Sequence, residues 1–283
     1  MYFFTFCNYI NRISTNDLED ALYMLLSSMK KFIPKYELIC FINYKVNFQR
    51  FKDFNVKFAK YYNDNSLSFY NNNTGPGLWL NMSFNKLNIY KDLYDNTGNN
   101  YIWVDLDTLI TYDISYLDKL DNFFLPNGGN SQKNNPIFIN SDITIHRKNY
   151  IQGNFWKIND KLYDDLKNTL IYIRNKGLIL RYDAQDLFNY HIYFRTQNYL
   201  EKYNILGVNY NDNLLGGLTI WSKEGDAHPN IDGLINLYRE NNVLKSKYYP
   251  DKDIHFLSFT FYRLRELIHS KIFLEKLGYY FSI

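Results

Sequence analysis

Apolar positions along the chain alternate between two periods, and the alternation outlines an α/β protein. Phe3 to Cys7 reads as a short buried strand, followed by a turn through Asn8-Tyr9-Ile10-Asn11. Leu18, Leu22, Leu25, Leu26 and Met29 recur at helical spacing, with Asn16 and Glu19 placed as a capping box and Pro34 closing the stripe. Tyr36 to Tyr44, rich in β-branched and aromatic residues, reads as a second strand. A β-α-β opening of this kind favours a parallel sheet with right-handed crossovers. Phe51 to Tyr62 carries a weak helical pattern, and Asn71 to Gly77 is a polar, turn-rich loop. Ser83 stands as a cap before a helix with Phe84, Leu87, Tyr90 and Leu93 on one face, and Asp95 to Asn100 turns into the next apolar run.

That run, Tyr101 to Ile110, is a strand pattern broken by two carboxylates one residue apart. Alternation along a strand puts Ile102, Val104 and Leu106 on one side and Trp103, Asp105 and Asp107 on the other. Two anions pointing the same way repel each other and are costly to desolvate, so a cation between them is expected. Carboxylate oxygens suit magnesium or manganese, which bridge protein carboxylates to substrate phosphates. Solvated acids at a strand end are the plainer alternative. In open α/β sheets ligands bind beyond the carboxyl ends of the strands, where Asp105 and Asp107 are placed.

Further on, Ile137 to Ile145 and Tyr150 to Ile158 suggest a β-ribbon beside the main sheet. A helix over Asp160 to Lys176, with Leu162, Leu166, Leu170 and Ile173 inward, is closed by Gly177. A short strand, Leu178 to Tyr182, leads to Asp183, a natural helix cap with Asp186 in the first turn. Trp221 to Pro229 reads as a loop and Asp253 to Ser258 as a strand. A basic aromatic stretch with Arg263, Arg265, His269, Lys271 and Lys276 follows. It is a solvated helix face or a patch for phosphate or a membrane surface. The expected layout is one catalytic domain over residues 1–260 and a helical annex over 261–283.

Composition narrows the classes. At 283 residues and 46% hydrophobic the chain can bury a sizeable core. A net charge of +3 without a basic block argues against an extended nucleic-acid surface. Two cysteines, Cys7 and Cys40, make no disulfide framework and favour a reducing compartment, so a cytoplasmic protein is expected. The apolar N-terminus is too short to span a membrane and lacks the basic start of a signal peptide, and no other span is evident.

Several motifs fall in the order found in GT-A fold, sugar-nucleotide-dependent glycosyltransferases, and the chain resembles the glycogenin-like and lipopolysaccharide galactosyltransferase-like group (the family eight type). Thr5 to Tyr9 ends in Asn8-Tyr9, similar to the pair that cradles the nucleobase. Lys86-Leu87 stands where the family carries a Lys-Leu pair, and Asp105-Leu106-Asp107 resembles its D-x-D motif. Gly153-Asn154 resembles the segment lining the donor sugar, and Asp183-Ala184-Gln185-Asp186 the segment touching the transferred sugar. His255-Phe256-Leu257-Ser258 is similar to the segment whose histidine completes the metal site. The family's Lys-Pro-Trp is absent after it, leaving Arg263 as a base for the diphosphate.

The resemblance implies a Rossmann-like, mostly parallel central sheet flanked by helices, with a small β-ribbon and a C-terminal helical annex. It implies metal ligands Asp105, Asp107 and His255, with His228 as the alternative histidine, and favours manganese over magnesium. Thr5, Asn8, Tyr9, Lys86, Asp105 and Asn154 would hold the nucleoside diphosphate sugar. Asp183, Gln185 and Asp186 would stand near the reacting sugar. Transfer would retain configuration, to a saccharide, protein or lipid acceptor, with peripheral membrane contact through the C-terminal basic stretch. Two rivals remain: a haloacid-dehalogenase-like phosphatase with Asp105 as nucleophile, suggested by Val104-Asp105-Leu106-Asp107-Thr108, and a non-catalytic glycan or nucleotide-sugar binding module.

Overall fold

A computed structural model describes residues 1–8, 14–62, 76–126, 134–215, 218–220, 237–247 and 249–259. The chain opens with β1 (Tyr2–Cys7), whose every residue after Tyr2 is buried. Helix α1 (Thr15–Phe32) follows, capped by the Ser14 hydroxyl, which accepts from the Asp17 amide at 3.1 Å. Ser14 thus takes the capping role that the pattern gave Asn16. Glu19 turns inward instead, accepting the Asn47 amide at 3.1 Å and so tying α1 to the turn after the second strand. Leu18, Leu22, Leu25, Leu26 and Met29 are all buried, as their spacing requires. Each such residue contributes on the order of 2 kcal/mol through burial.

β2 (Glu37–Ile42) and β3 (Val56–Lys60) continue the sheet in parallel. The weak helical pattern expected over 51–62 resolves into a 3₁₀ turn at Phe48–Phe51 and this edge strand. Period-two alternation wins here, and Lys57 and Lys60 keep the open edge polar. Helix α2 (Pro76–Thr97) begins with proline in the first turn, seven residues before Ser83. It returns the chain to β4 (Tyr101–Val104), on the other side of β1.

β4 stops at Val104. Asp105-Leu106-Asp107 forms a turn into β5 (Thr108–Ile110), which belongs to a different sheet, so the continuous strand expected over 101–110 is two strands joined by the acidic turn. The predicted sidedness survives: Ile102, Val104 and Leu106 share one core with α1, and Trp103 joins the opposite one. β6 (Phe123–Pro126), a strand the sequence pattern did not reveal, forms the far edge of the main sheet. β7 (Asn134–Pro136) and β8 (Thr144–His146) make a small hairpin. β9 (Ile151–Lys157) is no ribbon: it runs antiparallel between β4 and β6 inside the main sheet.

α3 (Asp160–Asn175) ends with Gly177 at φ +65°, with Gly177 N on Arg174 O and Leu178 N on Ile173 O. That is the left-handed closure expected of a glycine after a helix. The strand expected over 178–182 reduces to a single bridge, Phe138 to Leu180. α4 (Asp183–Tyr190) follows, with Tyr182 in the cap position and Asp183 as the first helical residue. After a short α5 (Tyr199–Lys202), β10 (Leu218–Ile220) and a meander of β11 (Leu237–Glu240), β12 (Val243–Ser246) and β13 (Tyr249–Ile254) lead to β14 (Phe256–Phe259).

The main sheet has the order β3-β2-β1-β4-β9-β6, and a second sheet the order β10-β14-β5. Two cores flank the main sheet, one with α1 and the second sheet, the other with α2, α3 and α4. Strand order reverses between β1 and β4, which places a crevice at their carboxyl ends. Cys7 and Cys40 are buried free thiols. Among the described residues no helix is long and apolar enough to cross a membrane. The expected helical annex at 261–283 lies outside the described residues.

Candidate active site at the β1–β4 switch point

Asp105 is positioned from both sides. Its amide donates to the Asn154 carbonyl at 2.7 Å, continuing the β4–β9 pairing by one residue. Its Oδ1 accepts from Lys86 Nζ at 2.9 Å and from Trp103 Nε1 at 2.7 Å. Lys86 comes from α2 and its ammonium lies 4.3 Å from the Trp103 ring centroid, a cation–π contact that fixes it beside the carboxylate. Asp107 sits two residues on, half-buried. Burial first, and then the neighbouring Asp105 carboxylate, push its pKa up to about 8. Lys86 offsets Asp105, and ionising Asp107 as well would need a further cation at the turn.

Buried polar atoms without a partner occur on the strands that flank this turn. Both side-chain heteroatoms of Asn8, Asn154 Oδ1 and Thr108 Oγ1 have no hydrogen-bond partner. Phe6 packs its ring 4.7 Å from that of Trp103, so the extended chain carries Asn8, two residues later, toward the Trp103 side. Asn154 faces that side too, opposite Asp105. Thr5 alternates to the other face with Phe3 and Cys7 against α1, and its buried hydroxyl is also unpartnered. Thr5 is thus not brought to the acidic turn. Tyr9 and His228 lie outside the described residues.

His255 stands apart from the pair. β14 runs antiparallel to β5 with Ser258 opposite Thr108, so His255 lies opposite Thr111, whose amide donates to the His255 carbonyl at 2.9 Å. Four residues of extended chain separate that position from Asp107, roughly 13 Å. The imidazole stacks on Tyr112 at 4.5 Å, shares a 2.9 Å hydrogen bond with Tyr116, and is pushed down to about pKa 4 by burial. The residue types of the histidine motif are present, yet the strand register carries them past the acidic turn. Among the described residues no three His, Cys, Asp or Glu side chains group closely enough to hold a metal ion. Two carboxylates remain, an all-oxygen set that fits a hard divalent cation completed by substrate phosphates and water.

α4 supplies the opposite wall. Gln185 Oε1 accepts the Gly153 amide at 2.7 Å, and Asn189, one turn later, brackets Ile151 by accepting its amide and donating to its carbonyl, both at 2.9 Å. The i, i+4 pair thereby pins α4 along β9 where that strand bulges away from β6. Gly153 permits the approach: a Cβ there would lie 3.2 Å from both Gln185 Cβ and Gln185 Oε1. Gly153→Ala is expected to displace Gln185 and cost about 1–2 kcal/mol. Chemical denaturation would register that loss, and an unchanged midpoint would refute the tight contact.

Asp186 is fully buried, accepting from the Tyr150 hydroxyl and the Tyr182 amide. Asp186, expected near the sugar, anchors the start of α4 through these two bonds. Asp183 opens the same helix. Tyr150 belongs to no recognisable motif; Asn189 closes the segment that begins at Asp183, and its spacing from Gln185 along one helix face was the signal for its role.

No family model matches the sequence, and no curated protein matches it. Solved structures do share the fold. The apo structure of the bifunctional glycosyltransferase WbbM matches 98% of this chain with a TM-score of 0.52 at 11% identity. The chain spans about half of that protein, 51% of its length. A crystal structure of an active-site mutant of LgtC matches over 94% of both chains, with a TM-score of 0.49 and 11% identity. The fold is accordingly that of the GT-A glycosyltransferases: a mixed α/β architecture with a mostly parallel six-stranded sheet.

Proposed function

We propose that the chain is a glycosyltransferase that takes a sugar from a nucleoside diphosphate donor, a UDP-sugar by preference, and passes it to a saccharide, protein or lipid acceptor. The observation that supports this most directly is the Asp105–Asp107 turn at the switch point, joined by Lys86, with buried polar atoms that lack partners on the adjoining strands. Such atoms are costly unless a ligand satisfies them. Asn8 and Asn154 carry them on the Trp103 side of the sheet.

Asp105 and Asp107 would hold a divalent ion, and an oxygen-only set suits magnesium as well as manganese. When bound, such an ion neutralises charge on the leaving diphosphate. Lys86 adds a fixed positive charge at the same place. Gln185 would contact the donor sugar, a role supported by its hydrogen bond to Gly153, next to the residue whose carbonyl pairs with Asp105. Asp186 supports it from behind. Retention of configuration follows from the family resemblance, as does the choice of uridine. Arg263 and the basic stretch assigned to membrane contact lie outside the described residues.

Thermal denaturation with UDP or GDP, in manganese, magnesium or chelator, tests the binding half of this proposal. One nucleotide at saturating concentration is expected to raise the midpoint only when metal is present, by linkage worth about 2–4 kcal/mol at 100 to 1,000 times Kd. A shift of equal size in chelator would remove the metal from the proposal.

A further inference from the structure

Gln185 does not hold its amide by itself. Its Oε1 takes the Gly153 amide at 2.7 Å, and its Nε2 donates to the Tyr150 hydroxyl at 3.0 Å. The Tyr150 hydroxyl in turn donates to Asp186, which also accepts the Tyr182 amide at the start of α4. Tyr150 is buried, 2% exposed, and Asp186 is wholly buried. The hydroxyl has one proton, and committing it to Asp186 leaves its oxygen as an acceptor facing Gln185. Only the Nε2 end of the Gln185 amide can meet that oxygen. The Oε1 end must then face Gly153, which offers a donor. Both ends of the amide are therefore specified, and a flipped amide would set a donor against the Gly153 N–H and an acceptor against the Tyr150 oxygen.

We propose that Tyr150, held by Asp186, is a positioning residue that fixes the amide orientation of Gln185 for its contact with the donor sugar. This rests on the transferase reading above. The residues come from three places in the chain: Tyr150 just before β9, Gly153 within it, and Gln185 with Asp186 on α4. No single motif joins all four, and the relay exists only in the folded protein. Its function is orientation, since Tyr150 acts on the site through its hydrogen bond to Gln185. Misplacing a positioned group by a fraction of an ångström to an ångström can cost one to two orders of magnitude in rate.

The test uses Tyr150→Phe, which keeps the ring and removes the hydroxyl, and Asp186→Asn, which keeps the shape and lets a side-chain N–H compete for the Tyr150 oxygen. Two readouts are taken on the full chain. The first is hydrogen exchange at the Gly153 amide, which needs no substrate. Faster exchange is expected in both variants, approaching that of Gln185→Ala. The second is hydrolysis of the nucleotide-sugar, where kcat is expected to fall about tenfold with KM within about twofold. Unchanged Gly153 exchange in Tyr150→Phe overturns the proposal whether or not the protein turns over a donor. Native kcat in Tyr150→Phe alongside a working wild type overturns it while leaving the transferase reading intact. A wild type inactive on every donor overturns that reading instead, and the exchange measurement still decides whether Tyr150 orients Gln185.

Discussion

Asp107→Asn is expected to fold at least as well as the native chain and to lose metal-dependent donor turnover by roughly 10³-fold or more. The two effects have one origin. Asp107 is pushed up to about pKa 8 by burial and by Asp105, far above the ordinary carboxylate range. A group whose folded pKa is raised contributes stability that is complete below its unfolded value, near pH 4, and is lost as pH rises through the folded value. In the metal-free protein the ionised pair therefore grows steadily more costly between about pH 4 and 8. Asparagine removes that cost, so the thermal midpoint of the variant should gain on the native protein across this window and hold its lead above it. It also removes one of only two carboxylates at the turn, and with it the means of holding a cation against a diphosphate. Differential scanning calorimetry from pH 4 to 9 without metal, paired with a turnover assay, separates the outcomes. A variant that is both destabilised at pH 8 and fully active would contradict the assignment.

Asp186→Ala is expected to be the most destabilising single change in the site, by about 2–5 kcal/mol. It removes the acceptor of a buried tyrosine hydroxyl and of the Tyr182 amide at once. At roughly 2–4 °C per kcal/mol for a chain of this size, the midpoint should drop by about 5–15 °C. Asp186→Asn should cost much less, because it retains the shape and one acceptor. Burial raises the Asp186 pKa to about 7, against the opposing pull of hydrogen bonds from Tyr150 and the Tyr182 and Arg181 amides and of the Arg181 charge. The native protein therefore loses stability through this group as pH climbs from about 4 to 7, and Asp186→Asn should flatten that part of the profile. Equal midpoints for the alanine and native proteins would mean that Asp186 is not buried against Tyr150 and Tyr182.

Much of this architecture was legible in the sequence because it rests on periodicity. The α1 stripe, the β1-α1-β2 opening, the inward face of α3 and its glycine closure all follow from side-chain spacing. So does the sidedness of Trp103 and Asp105 against Val104 and Leu106. Lys86 was readable by its place before the acidic motif, and the structure puts its ammonium on Asp105. Register was not readable. β5 and β14 pair so that Ser258, not His255, lies beside the acidic turn, and only the strand alignment reveals this. β9 was mistaken for a ribbon because a strand inside a sheet and one beside it carry the same apolar alternation. A carboxylate next to a glutamine in a motif likewise does not disclose that Asp186 accepts from Tyr150 and the Tyr182 amide.

Sugar transfer at the acidic turn predicts nucleotide release from a panel of UDP- and GDP-sugars by the native chain, measured in manganese, magnesium and chelator without any acceptor. Slow, metal-dependent release of one nucleotide from one donor, absent in Asp107→Asn, is the expected result. No release from any donor, with no metal-dependent stabilisation by UDP or GDP, would contradict it.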